Sequence, residues 1–233
     1  MNRRQIIYTF VVAVALTLLS IFFLDQPIAA FVQKVDGRSS VILQQGTSLL
    51  EVIIGSSLPK WPPAFPLARY ALTYALLTTG LVLFAWKSTR SIAWMLLFIG
   101  STQLVIRLTA GTLKGIFERL RPFEVIQAGN WDWKFFSGQG NSFPSGHGAY
   151  FWGLFFPLAF LFPRYRIPFL LIPLFISVAR VGVNDHWCSD VLGSIAIAAG
   201  ITLVFTWLFR MKERTVDMVA YPKETSAENK ILR

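Results

Sequence analysis

Only two histidines occur in the chain, His147 and His186, and each stands in a short polar cluster within an apolar sequence. His147 closes N-S-F-P-S-G-H, where a Pro144-Ser145-Gly146 turn presents the imidazole just as a long apolar run resumes. His186 sits in A-R-V-G-V-N-D-H-W-C-S-D, with Arg180 six residues before it and Asp190 four after it. A third cluster, L-K-G-I-F-E-R-L-R-P-F, carries Lys114, Arg119, Arg121 and Pro122.

These residue types describe an anion site beside a covalent catalyst. Lys114, Arg121 and Arg180 offer cationic donors, and the planar fork of arginine matches phosphate oxygens in pairs. The Pro-Ser-Gly turn, followed by a helix N-terminus, aims backbone N–H groups at a phosphate-sized anion. A spacing of four predicts that His186 and Asp190 share one face of a helix. The carboxylate then accepts a proton from one imidazole nitrogen and leaves the other as a nucleophilic lone pair. His147 can protonate a departing alkoxide and afterwards act as base while water hydrolyses the phosphohistidine. Charge spread over the equatorial oxygens of the transition state is what the cations and N–H donors would stabilise. This chemistry requires no metal or other cofactor, and the sequence has no carboxylate cluster with metal spacing.

Plainer readings compete. Lys114 and Arg121 could anchor a helix end among lipid headgroups. His147 could simply start a capped helix, and His186–Asp190 could be structural. Arg107, seven residues before Lys114, either reaches a headgroup or snorkels. Trp131, Trp133, Phe135 and Phe136 form either an interfacial aromatic belt or an entrance for a lipid tail. Cys188, the single cysteine, can form no intramolecular disulfide and reads as a packing residue. No role follows for Asn184 or Asp185.

The elements that must carry these residues are set by composition. The chain is 54% hydrophobic and 15% charged, with mean hydropathy +0.53, too apolar for an ordinary soluble domain of this length. Six runs approach bilayer-spanning length, at about 6–24, 67–86, 92–108, 147–162, 167–183 and 191–209. Backbone polar groups in lipid must satisfy one another, so the expected fold is all-α: an integral membrane bundle of six transmembrane helices. Between the first two, residues 39–57 have helical periodicity but carry Gln44, Gln45 and Glu51, which predicts a short interfacial helix. The Pro-rich Leu58–Pro66 stretch reads as a stiff lead into the second span. M-N-R-R-Q before the first run, with Asp25-Gln26-Pro27 after it, reads as an uncleaved helix rather than a signal peptide. The whole of 1–233 is read as one domain, with 210–233 a basic, partly disordered tail that could touch anionic lipid heads.

Basic residues mark every second crossing: Arg3–Arg4, Lys87 with Arg90, Arg164 with Arg166, and Arg210–Lys212–Arg214. The positive-inside pattern then puts both termini in the cytoplasm and residues 25–66, 109–146 and 184–190 outside. This bias together with the anion site accounts for the net charge of +10 without a nucleic-acid partner. All three polar clusters fall at the outer boundary, where ionisable groups are expensive and functional.

The spacings K-x6-R-P at Lys114–Pro122, P-S-G-H at Pro144–His147 and R-x5-H-x3-D at Arg180–Asp190 resemble the three-part signature of the type 2 phosphatidic acid phosphatase superfamily. That family includes membrane lipid phosphatases, soluble bacterial acid phosphatases and vanadium haloperoxidases. The resemblance covers Lys114 to Asp190 and the six-span layout. It implies His186 as nucleophile, Asp190 as its orienter and His147 as general acid. It also implies Lys114, Arg121, Ser145, Gly146 and Arg180 as the phosphate pocket. One departure is Ala179, where the family's third motif usually has serine. The implied activity is removal of phosphate from a lipid at the periplasmic face of a bacterial inner membrane. Candidate substrates are undecaprenyl pyrophosphate, phosphatidylglycerol phosphate, phosphatidic acid and lipid A phosphates. A lipid phosphotransferase, or a non-catalytic anionic-lipid-binding or transport protein, would use the same pocket.

Overall fold

The structure is a computed structural model, and it describes residues 1–53, 70–129, 131 and 135–211. Among these residues every regular element is helical. The first run comprises α1 (Arg3–Leu19), a π-helical turn (Ser20–Leu24) and α2 (Asp25–Lys34), and α3 follows at Val41–Ile53. Then come α4 (Ala71–Phe84), α5 (Arg90–Phe117), the short α6 (Pro122–Gln127), α7 (Gly146–Leu161), α8 (Arg166–Gly182) and α9 (Cys188–Leu208).

α7 is the axis of the bundle. It packs on α5, α8 and α9, while α1 lies along α9 and α4 along α5. Its residues from Gly148 to Leu161 are buried apart from Leu158, so Phe151, Phe156 and Phe160 fill the core against Phe98, Ile106 and Ile176. The outer faces carry exposed apolar side chains, such as Val11, Leu18, Phe22 and Phe23 on the first run. Lipid tails are as apolar as leucine, so packing and hydrogen bonds hold such helices together. Trp152 Nε1 donates to Ser177 Oγ at 3.0 Å to join α7 and α8. Thr73 Oγ1 donates to Gln103 Oε1 at 2.8 Å to join α4 and α5.

Among the described residues, four helical runs are long and apolar enough to cross a membrane: Arg3–Lys34, Lys87–Gln127, Pro163–Gly182 and Cys188–Leu208. The expected runs at 67–86 and 147–162 correspond to α4 and α7, which have 14 and 16 residues. Residues 67–69 lie outside the described part. So do the Leu58–Pro66 lead, Trp133, Lys212 and Arg214, and the tail beyond Met211. The helix expected in 39–57 is present as α3, packed against α8.

Three boundaries differ from expectation. The first run does not stop at Leu24, because a π turn carries the helix past Asp25 to Lys34. The third continues to Phe117, so Lys114 stands in the last turn of α5 rather than in a loop. No proline interrupts α5 before Pro122, and the helix closes at Glu118 in the left-handed conformation (φ 41°). His186 and Asp190 do not share a helix: α9 starts at Cys188 and His186 precedes its N-cap, Trp187.

The segment after the aromatic loop is fixed by backbone pairing with the end of α5. Phe136, Ser137 and Ser142 donate their N–H groups to the carbonyls of Phe117, Glu118 and Arg119 at 2.6, 3.2 and 2.8 Å. Gly140 lies against this strip so closely that a Cβ there would sit 2.1 Å from the Arg119 carbonyl carbon. Gly140→Ala should therefore push the 135–142 segment off Arg119, a forced overpacking of roughly 1–3 kcal/mol. The expected outcome is a lower melting temperature in detergent; an unchanged one would show that the segment yields freely.

Candidate active site

The site assembles where the N-termini of α7 and α9 meet. Ser145 caps α7 by accepting from Gly148 N at 3.2 Å, and its own N–H donates to the Asp190 carbonyl at 3.0 Å. Ser194 Oγ, one turn further along α9, donates to Ser145 O at 2.9 Å. The two helix N-termini are thus joined at one place, and the positive ends of their dipoles favour an anion there.

Asp190 is fully buried and saturated with donors. Its Oδ1 accepts from Arg119 Nη1 at 2.7 Å. Its Oδ2 accepts from Ser142 Oγ at 2.5 Å and Trp187 N at 2.9 Å, with His186 Nδ1 at 3.3 Å. The Ser142 hydroxyl also lies 3.4 Å from His186 Nδ1. Both ring contacts are made at Nδ1, so a proton on Nδ1 leaves Nε2 as the lone-pair nitrogen. His186 and Asp190 are therefore brought together, although the contact is made across a helix cap.

The cations stand around the same strip. Lys114 Nζ is held by the carbonyls of Asn141 and of Ser142, the latter at 3.3 Å. A Cβ on Gly146 would meet Lys114 Cε at 3.6 Å, so this side chain runs beside the first turn of α7. Arg121 Nε donates to Asn141 Oδ1 at 3.2 Å. Arg180 pairs with Asp185 through Nη2 at 2.6 Å, and both Arg121 and Arg180 lie within electrostatic reach of Lys114. Arg180 also borders a cavity of about 260 Å³ lined by Arg38, Gln44, Thr47, Ser48 and Asp185. His147 is partly exposed in the first turn of α7, next to Ser145 and Gly146.

Residues 91–214, just over half of the chain, match the family model described as the PAP2 superfamily. The chain belongs to that superfamily. A lipid A 1-phosphatase of Rhizobium johnstonii is 32% identical over 120 residues, covering 51% of this chain and 49% of that protein. A lipid A 1-phosphatase of Rhizobium etli is 32% identical over 115 residues, covering 48% and 50%. The matched stretch thus spans about half the length of these curated relatives. No solved structure matches. With its long apolar helices, this PAP2 superfamily member is an integral membrane protein.

Several residues of the site carry no role in the sequence reading. Asp25, Ser142 and Ser189 are buried and bonded into the Asp190 network. Arg119 lies two residues from Arg121 in the first motif, yet points inward to Asp190. Its guanidinium sits 4.5 Å from the Phe135 ring centroid and 5.0 Å from that of Trp187. Phe135 therefore faces the site, packed on Phe117 and Phe143, whereas Phe136 is exposed. Arg107 is held between Tyr70 and Tyr150, 3.9 and 4.9 Å from their ring centroids.

Burial pushes His186 from its ordinary value of 6.5 down to about 4. The Asp190 hydrogen bond and charge act upward, and Lys114 and Arg121 reinforce the fall. As pH drops below 6.5 the unfolded chain takes up this proton while the native protein resists until about 4. Native stability should therefore decline across that window, by on the order of a few kcal/mol. Melting in detergent between pH 7 and pH 4 checks this: wild type should lose more than His186→Gln. Equal losses would mean that His186 titrates normally.

Proposed function

We propose that the chain is a lipid phosphatase acting through a phosphohistidine. The observation that supports this best is the convergence of an Asp190-held imidazole and Lys114, Arg121 and Arg180 on the capped N-terminus of α7. Fold and chemistry agree here, since a lipid phosphate at the interface meets cations and N–H donors while its tails stay among the helices.

His186 Nε2 attacks phosphorus as the P–O bond to the lipid breaks, and His147 gives its proton to the leaving oxygen. Water then attacks the phosphohistidine, His147 takes a proton from that water, and the N–P bond breaks to free phosphate and His186. Lys114, Arg121, Arg180 and the Gly146 N–H carry the charge of the equatorial oxygens, and Ser145 shapes the turn that presents this N–H. Asp190 keeps the nucleophilic nitrogen unprotonated by binding the other one.

The finer reading of the architecture is six crossings, with α4 and α7 as the two shorter ones. It is supported by their packing, since α7 is enclosed by α5, α8 and α9 and α4 lies along α5. Six crossings with the basic residues on alternate sides place both termini in the cytoplasm and the site at the periplasmic face of a bacterial inner membrane. Residues 1–233 form one domain, ending in the basic 210–233 tail.

Among substrates, lipid A 1-phosphate comes first because both relatives carry that activity in their names. Undecaprenyl pyrophosphate, phosphatidylglycerol phosphate and phosphatidic acid complete the panel. Purified protein in detergent should release phosphate from at least one of them, and His186→Ala should lose roughly a thousandfold or more in kcat. Transfer of phosphate to a second lipid without net release would make it a phosphotransferase. Binding with no turnover, unchanged in His186→Ala, would make it a binding protein. For the active lipid, kcat/KM should hold on the acid side until about pH 4, where His186 takes up its proton. A limb near the ordinary histidine value would reassign that role.

A further inference from the structure

Two buried ions lie behind Asp190 and take no part in the chemistry proposed above. Asp25, at the start of α2, is 1% exposed and Arg119 is 0% exposed. Arg119 Nη2 donates to Asp25 Oδ2 at 2.6 Å while its Nη1 holds Asp190 Oδ1 at 2.7 Å. Ser189 closes the unit: its N–H reaches Asp25 Oδ1 at 2.9 Å, and its Oγ donates to Asp25 Oδ2 at 2.5 Å. Arg119 Nη1 in turn donates to Ser189 Oγ at 2.6 Å.

The first helical run is shaped to deliver Asp25. The Asp25 N–H bonds to Ser20 O, five residues back, in the π turn. Such a turn inserts one extra residue and rotates the downstream helix about its axis, a feature common at functional sites. Ser20, itself buried, donates its hydroxyl to Asp25 Oδ1 at 2.8 Å. A lone carboxylate inside an apolar run is expensive at this depth, and only an aimed cation offsets the cost. The cation is aimed because Phe135 and Trp187 flank the guanidinium. With Oδ1 of Asp190 taken by Arg119, Oδ2 is the oxygen left for Ser142, Trp187 N and His186.

We propose that Asp25 and Arg119 form a buried positioning pair that fixes the Asp190 carboxylate and, through it, the tautomer of His186. The first membrane helix, outside the region that matches the family, is then part of the active site. This rests on the roles assigned to Asp190 and His186 above. Neither Asp25 nor Arg119 touches the substrate; each acts through Asp190.

With two histidines in the chain, nitrogen-15 histidine NMR on the full-length protein in detergent micelles reads the tautomer directly. Wild type should show His186 with its proton on Nδ1. Asp25→Asn and Arg119→Lys, which lose the charge or the fork, should show both tautomers. They should also lose roughly 10–100-fold in kcat, as outer-shell partners of an oriented imidazole do, with KM little changed. Ser189→Ala removes only one hydroxyl and decides the matter by the same two readings if the other variants do not fold. Folded variants that keep a pure Nδ1–H tautomer would overturn the pair's positioning role, whatever their activity. Failure of wild type to release phosphate from any lipid would remove the phosphatase reading alone, because the tautomer measurement needs no substrate.

Discussion

A carboxylate buried among apolar helices must be surrounded by donors, and Asp190 is the group on which this constraint falls hardest. It has no exposure to water and four donor groups around two oxygens. Those donors come from three places in the chain: Arg119 beyond α5, Ser142 before α7, and His186 with Trp187 between α8 and α9. Satisfying one buried charge therefore ties together the ends of the main helices on one side of the bundle. Removing a partner from such a buried pair strands a charge and typically costs about 3–5 kcal/mol.

The same requirement explains the segment before α7. A segment that must place a serine hydroxyl on Asp190 cannot hang free, and it is laid along the end of α5 by backbone hydrogen bonds from Phe136, Ser137 and Ser142. Gly140 permits the close approach. Phe135 then covers the guanidinium of Arg119. The aromatic residues thus divide their work: Phe135 seals the charge network while Phe136 and Trp131 are exposed.

Much of the site was legible because its chemistry depends on residue types with few substitutes. A histidine, a following aspartate and three cations at family spacing suffice to mark where the fold gathers His186, Asp190, Lys114, Arg121 and Arg180. The helices were legible too, since apolar runs of this length satisfy their backbone groups in lipid by coiling on themselves. Asp25 escaped notice because, read along the chain, it only ends an apolar run. Arg119 escaped because a basic cluster at a helix end has an ordinary explanation in headgroup contact. Neither has a local pattern that reveals its partner, 94 residues away in sequence.

The sequence by itself determined the all-helical class and the family, because these follow from hydropathy and from residue types at short spacing. Only the tertiary structure decided how His186 meets Asp190. They meet not along a helix face but around the cap of α9, because the Asp190 carboxylate folds back on the Trp187 N–H. It alone decided that a π turn in the first run brings Asp25 to Arg119. The physical reason is common to both: a buried charge finds its partners through space, and the chain order carries no record of which distant ends will meet.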